Sequence, residues 1–348
     1  EGELGDRLLA SYEEQLQVCS ELLLPPAAVA ALDRWKEITF VGTDLLGVVP
    51  FEAMRFPGIG VLGEQRAICY CSSLALYRSL GQRSEGSGGD VLMVVQGEPD
   101  AKMLAPFGQF EPLPVGPDWR AEQESIFRPT QAGEVFSKNL RPEFLLANDF
   151  RSLAAMEFVA HGVQDFGREL PAALALEGDS PDMALLRSGD VARRFRSPRL
   201  VVLEACATDM GPLRRGDGGA RGFRSAFLQA GAACVVLSPF PAEFGAVDRV
   251  LQAFNRELVK GCSPAEALMR SRRQVAGGTG FSSRLGDGLL RVVGAAHDPI
   301  FPSLGTDARP EERDEAKTLA WLAGALALLL LAGITARSAL SRRTKRAA

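Results

Sequence analysis

Histidine is nearly absent from this chain: 348 residues hold two, His161 and His297. That scarcity excludes zinc sites built on several imidazoles. The six cysteines contain no Cys-x-x-Cys to supply the thiolate half of a mixed set, so no metal is expected. A charge excess of either sign is also missing. Against 39 basic residues stand 43 acidic ones, a net charge of −4, which gives no polyanion-binding surface and no nucleic-acid partner. The glycine-rich stretch 211–222 lacks the Gly-Lys-Ser/Thr ending of a phosphate loop, and its glycines miss the dinucleotide spacing. It reads instead as a loop that closes over substrate or is cut on activation, and no cofactor is expected. No repeat of solenoid length occurs. The initial residue is Glu1 rather than Met, so the chain reads as a processed or shortened product, with any signal peptide or upstream module outside it.

What is present is an ordinary globular composition, 46% apolar and 24% charged, with enough chain for a large core. Residues 1–36 read as a helical lead-in broken at Pro25-Pro26. Short apolar runs follow at 38–41, 67–71, 91–95, 156–160, 200–205 and 233–237. Helical patterns lie between and after them at 73–80, 119–127, 222–230, 245–259 and 264–275. Strands alternating with helices predict an α/β fold with a mainly parallel sheet. The cysteines other than Cys206 read as free structural thiols, and His297 as a loop residue with no strand before it.

The C-terminus is of another kind. Residues 318–336 carry no charge and are rich in Leu and Ala, bracketed by Lys317 and Arg337. At ~1.5 Å per residue they match a ~30 Å hydrocarbon core, so a transmembrane helix is expected after a linker at 303–317. The basic tail 337–348 carries Arg337, Arg342, Arg343, Lys345 and Arg346. The positive-inside rule favours a cytoplasmic tail in a single-pass membrane protein, and the side that the soluble part faces stays open.

Chemistry concentrates at two strand ends. His161 closes the run Met156–Ala160 and is followed by Gly162; Cys206 closes the run Leu200–Ala205, 45 residues further on. A thiol attacks a carbonyl as thiolate and needs a base beside it. Adjacent parallel strands would bring His161 and Cys206 together above one end of a sheet. Glycine after the histidine leaves the Gly162 N–H accessible to an oxyanion, with the Cys206 N–H as second donor. Glu204 shares a strand face with Cys206, so it should line the wall where a substrate's P1 side chain sits. A carboxylate there favours a basic or amide P1 unless burial leaves it neutral, and with Asp209 nearby Arg or Lys is the expected choice.

The spacing is that of a His about 50 residues before an x-Ala-Cys, and the surrounding residues resemble the CHAT domain. Phe158-Val159-Ala160-His161-Gly162 is similar to that family's Phe-x-x-His-Gly, and Leu200–Thr208 to its Leu-Val-Val-Leu-Ser-Ala-Cys-x-Thr. Phe40–Met54 resembles its opening motif. Phe223–Val236 and Ser263–Leu268 resemble its Ala-Phe-x-x-Ala-Gly-Ala and Ser-x-x-Glu-Ala-Leu segments. Glu204 departs from the commoner Ser and resembles the Glu or Gln of legumain and caspase motifs. Pro239-Phe240-Pro241-Ala242 replaces the usual Leu-Trp-x-Val.

The resemblance implies a caspase-like three-layer α-β-α sandwich over residues 37–302, with His161 and Cys206 as a cysteine-peptidase dyad acting on protein or peptide substrates. It also implies tetratricopeptide repeats upstream as a sensor. Two other readings remain open: a catalytically idle module that binds a partner peptide in the same groove, and acyl transfer or ester hydrolysis at the same dyad.

Overall fold

A computed structural model describes residues 2–42, 49–56, 58–84, 90–96, 105, 110–130, 136–138, 140–163, 172–205, 208, 222–239, 244–276 and 290–301. Thirteen strands occur among them: β1 Glu37–Val41, β2 Arg55–Phe56, β3 Gly60–Val61, β4 Ala67–Cys71, β5 Val91–Val95, β6 Phe136–Lys138, β7 Ala155–Val159, β8 Gly162–Val163, β9 Ala173–Ala175, β10 Leu185–Arg187, β11 Leu200–Glu204, β12 Cys234–Leu237 and β13 Arg291–Gly294. Eight form one sheet in the order β1-β4-β13-β12-β11-β7-β5-β6. The run β12-β11-β7-β5-β6 is parallel throughout, as is β1-β4, while β13 pairs antiparallel with β12. The expected α/β class with a mainly parallel sheet is therefore observed.

Why these runs form strands follows from their burial. β4, β7 and β11 are buried at every position, as strands covered on both faces must be. Side chains alternate between two cores. Val201, Leu203, Met156 and Phe158 join one with Leu145, Val191, Phe223 and Phe227. Leu200, Val202, Val159 and Met93 join the other with Trp119, Val250, Phe254 and Leu268. Helices Pro142–Ala147, Ser188–Arg194 and Phe223–Ala230 thus cover one face, and Pro117–Phe127, Phe244–Val259 and Pro264–Val275 the other. A three-stranded flap, β10-β9-β8, leaves the main sheet directly after β7.

One expectation needs correction, and the reading of Cys19, Cys69, Cys71, Cys234 and Cys262 as free thiols is met. His297 does follow a strand: β13 ends at Gly294, and Arg291 opens a stretch too short and too charged at its start to read as one. Cys19 is exposed, whereas Cys69, Cys71, Cys234 and Cys262 are buried free thiols. The chain divides at Leu304, and the segment from Gly305, with the expected span 318–336, lies outside the described residues. Among the described residues no helix is long and apolar enough to cross a membrane.

Gly294 has a conformational role. Its φ is +109°, and a Cβ there would collide with the Ala233 carbonyl oxygen on the neighbouring strand. Strain of about 1–3 kcal/mol plus that clash should lower the thermal midpoint of Gly294→Ala by several degrees. An unchanged midpoint would refute the role.

Candidate functional site

β7 and β11 lie side by side in parallel register, with Phe158 opposite Leu203 and Val159 opposite Glu204. Both chains leave the sheet at the same level, where the Ala160 N–H donates to the Glu204 carbonyl at 3.3 Å. His161 emerges there with its backbone held on two sides. Its N–H donates to Gln96 Oε1 at 2.8 Å, and its carbonyl accepts from the Ala175 N–H at 2.9 Å.

The His161 ring is oriented by a proline-rich strap, residues 110–116. Nε2 lies 2.8 Å from the Glu111 carbonyl oxygen, and the Phe110 ring tilts against the imidazole at a centroid distance of 4.9 Å. A carbonyl only accepts, so Nε2 carries the hydrogen and Nδ1 is the basic nitrogen of the neutral ring. Burial pushes the His161 pKa down, and the Glu111 contact partly opposes this. Gly162 pairs with Leu174 across β8 and β9. The Ala175-to-His161 bond makes this a non-hydrogen-bonded pair, so the Gly162 N–H points away from β9.

His161 and Glu204 line one open groove of about 480 Å³, with Ala160, Ala205, Ser238, Phe244 and the strap residues Glu111–Pro114. Glu204 is 3% exposed, and neither of its carboxylate oxygens has a hydrogen-bond partner. Burial pushes its pKa well above the carboxylate range, and the nearby Asp248 and Glu157 carboxylates push it further. Glu157, also buried, accepts from Asn255 Nδ2 at 3.0 Å through Oε2 alone. Desolvation raises its pKa to about 8. Asp248 accepts from Trp119 Nε1 at 2.8 Å and from Gln252 Nε2 at 2.9 Å.

The structure thus brings His161, Gly162 and Glu204 together. Cys206 and Asp209 lie outside the described residues. Ala205 lines the groove, and Thr208 Oγ1 donates to the Ser238 carbonyl at 3.3 Å. Glu157, Asp248, Gln96 and the strap were not anticipated. One signal was available: Glu157 and Glu204 are the lone charges in two apolar runs, at positions that adjacent parallel strands place on the same face. Among the described residues no group of three or more His, Cys, Asp and Glu could hold a metal ion.

Among the described residues His297 lies beside Cys69, and this pair fails as a nucleophile site. His297 Nε2, Cys69 Sγ and Thr39 Oγ1 lie 3.2–3.3 Å from one another, and His297 Nδ1 is 3.7 Å from Glu37. Cys69 is wholly buried with its pKa pushed up to about 12, and burial lowers that of His297 to about 4. Neither partner charges at neutral pH, and no substrate reaches the sulfur. The cluster is a core hydrogen-bond triangle.

Two parallel strand ends, one followed by His161 and the other closed by Glu204, meet at one groove of an α/β protein. The chain belongs to the CHAT domain family, whose model matches residues 13–334. No curated protein matches it by sequence. Among solved structures it is similar to an Arg-specific cysteine proteinase, gingipain R (12% identity, TM-score 0.48, 80% of this chain and 69% of that one). The complex of the pro- and mature domains of RgpB from Porphyromonas gingivalis gives 13% identity and TM-score 0.46 over 80% and 70% of the chains. The separase–securin complex from Saccharomyces cerevisiae gives 14% and 0.45 over 71% of this chain and 15% of that one.

Proposed function

We propose that the chain is a cysteine endopeptidase in which His161 is the base for the Cys206 nucleophile. The observation that carries this is the His161 imidazole: its backbone is pinned beside the β11 end, and its Nε2 is tied to the Glu111 carbonyl, so Nδ1 is the proton acceptor. In the reaction the Cys206 proton passes to Nδ1 and the sulfur attacks the scissile carbonyl carbon. The N–H groups of Gly162 and Cys206 receive the oxyanion. Collapse expels the amine, which takes its proton from His161, and water deprotonated by His161 then releases the acyl group from sulfur. Throughout, the Glu111 carbonyl faces the N–H of the imidazolium and stabilises it. Glu204, with Asp209, stands beside the P1 side chain and favours a basic one.

The uncharged segment 318–336 and the basic tail after it support anchorage to a membrane with the tail on the cytoplasmic side. The family resemblance supports control by an upstream repeat module. The test is labelling of the full chain with a peptidyl acyloxymethyl ketone bearing P1 lysine. Wild type should be modified at Cys206, and Cys206→Ala should not react. Equal labelling of both, or of neither, overturns the peptidase reading in favour of an idle peptide-binding module.

A further inference from the structure

Behind the groove lies acidity that the proposed reaction does not use. Glu204 sits opposite Val159 and Glu157 opposite Val202, so the two carboxylates share one face of neighbouring strands, one pair apart, at roughly 7 Å between backbones. Both side chains are more than nine-tenths buried. Three of their four oxygens have no hydrogen-bond partner, and both Glu204 oxygens are among these. Buried polar groups without partners are rare in folded proteins, and each asks for a reason.

The groups facing the pair are few. From helix Phe244–Val259 come Asp248, with Arg249 next to it, and Asn255, which donates to Glu157. Helix Pro117–Phe127 brings Trp119 onto Asp248 and adds Glu122, whose charge acts on Asp248. His161 and Glu111 line the groove in front. No described basic side chain bonds to either Glu204 oxygen.

We propose that Glu157 and Asp248 turn the Glu204 pocket into a proton-coupled cation site, in which a guanidinium or ammonium group enters as Glu204 releases a proton. This rests on the placement of Glu204 beside P1. Two carboxylates so close in a dry site do not both ionise unaided, so a proton stays with the pair when the pocket is empty. An incoming cation supplies the missing counter-charge and stabilises the Glu204 carboxylate, and the proton passes to solvent through the groove. The raised pKa values of both residues agree with this arrangement. The pocket then prefers basic side chains at neutral and alkaline pH and loses that preference in acid, where the neutral Glu204 accepts an uncharged isostere as readily. Glu157 and Asp248 touch no substrate. They set the pH at which the preference changes.

The test uses the full chain and two probes, n-butylguanidine and its uncharged analogue n-butylurea, by titration calorimetry in buffers of different ionisation enthalpy. Butylguanidine should release close to one proton on binding below the Glu204 midpoint, and its Kd should rise about tenfold for each pH unit that the solution is made more acid there. Butylurea should bind without proton release at any pH. Glu157→Gln removes a neighbour that opposes Glu204 ionisation, so it should shift the guanidine midpoint to lower pH, a change that a purely structural role would not produce. Guanidine binding without proton release, a pH-independent Kd, or no guanidine binding overturns the proposal. If Cys206 labelling persists in that same protein, the peptidase reading stands while the cation site falls. Proton-coupled binding without Cys206 labelling has the opposite meaning.

Discussion

Replacing His161 with alanine should lower kcat/KM for peptide cleavage by about 100- to 10,000-fold, the range lost when a positioned general base is removed. Folding should survive the change. The groups that hold residue 161 in place are its backbone N–H and carbonyl, bonded to Gln96 and Ala175, and His161→Ala keeps both. The circular dichroism and thermal midpoint should therefore stay near wild type while activity falls. Because base and nucleophile act as a unit, His161→Ala combined with Cys206→Ala should be no slower than Cys206→Ala alone. Additive losses would mean that the two residues serve separate steps. The pH profile gives an independent check. Burial holds the His161 pKa below its ordinary value, so the base form persists into mildly acidic solution. The acid limb of kcat/KM for a substrate with an uncharged P1 should lie below the ~6.5 of a solvated histidine. A limb at or above that value would show that His161 is not the titrating group.

The parts legible beforehand share a physical cause. Strands β5, β7, β11 and β12 are covered on both faces, so they appear in the sequence as apolar runs bounded by loops and interrupted only by Glu157 and Glu204. Their parallel order then puts His161 and Glu204 at one level. β13 was not legible because Arg291 opens it, and an arginine in a central strand makes sense only when its partner is known. That partner, Glu52, lies 239 residues away. The flap β8–β10 was hidden by its length, two or three residues per strand, with alanine at two of the three positions of β9. The strap that orients His161 is irregular chain, and its working atom is the carbonyl of Glu111, which no side-chain pattern encodes. Asp248 becomes relevant only once helix Phe244–Val259 is laid across the β11 end.

Glu52→Ala should cost about 3–5 kcal/mol of stability, the loss expected when one member of a buried ion pair is removed. Arg291 is wholly buried and Glu52 is 1% exposed, with Nε 2.8 Å from Oε1. The Tyr70 hydroxyl donates to the other Glu52 oxygen, and the Arg291 guanidinium carbon sits 4.9 Å from the centre of the Tyr70 ring. Taking Glu52 away removes a counter-charge from a buried guanidinium and leaves the Tyr70 hydroxyl without that acceptor. Glu52→Leu with Arg291→Met removes both charges at once and should recover most of the loss, because the desolvation penalty goes with them. Denaturant midpoints of the single and double variants measure this. A single-variant loss below about 1 kcal/mol would mean that water reaches the pair. β13 stands between β4 and β12, so this contact ties the turn at Phe51–Ala53 and the β1–β4 edge to the half of the sheet that carries His161 and Glu204. Activity in Glu52→Ala should therefore follow the folded fraction: near wild type while the protein is folded, and lost at the lower temperature where it unfolds. A drop in kcat/KM well below that temperature would place Glu52 in direct communication with the groove.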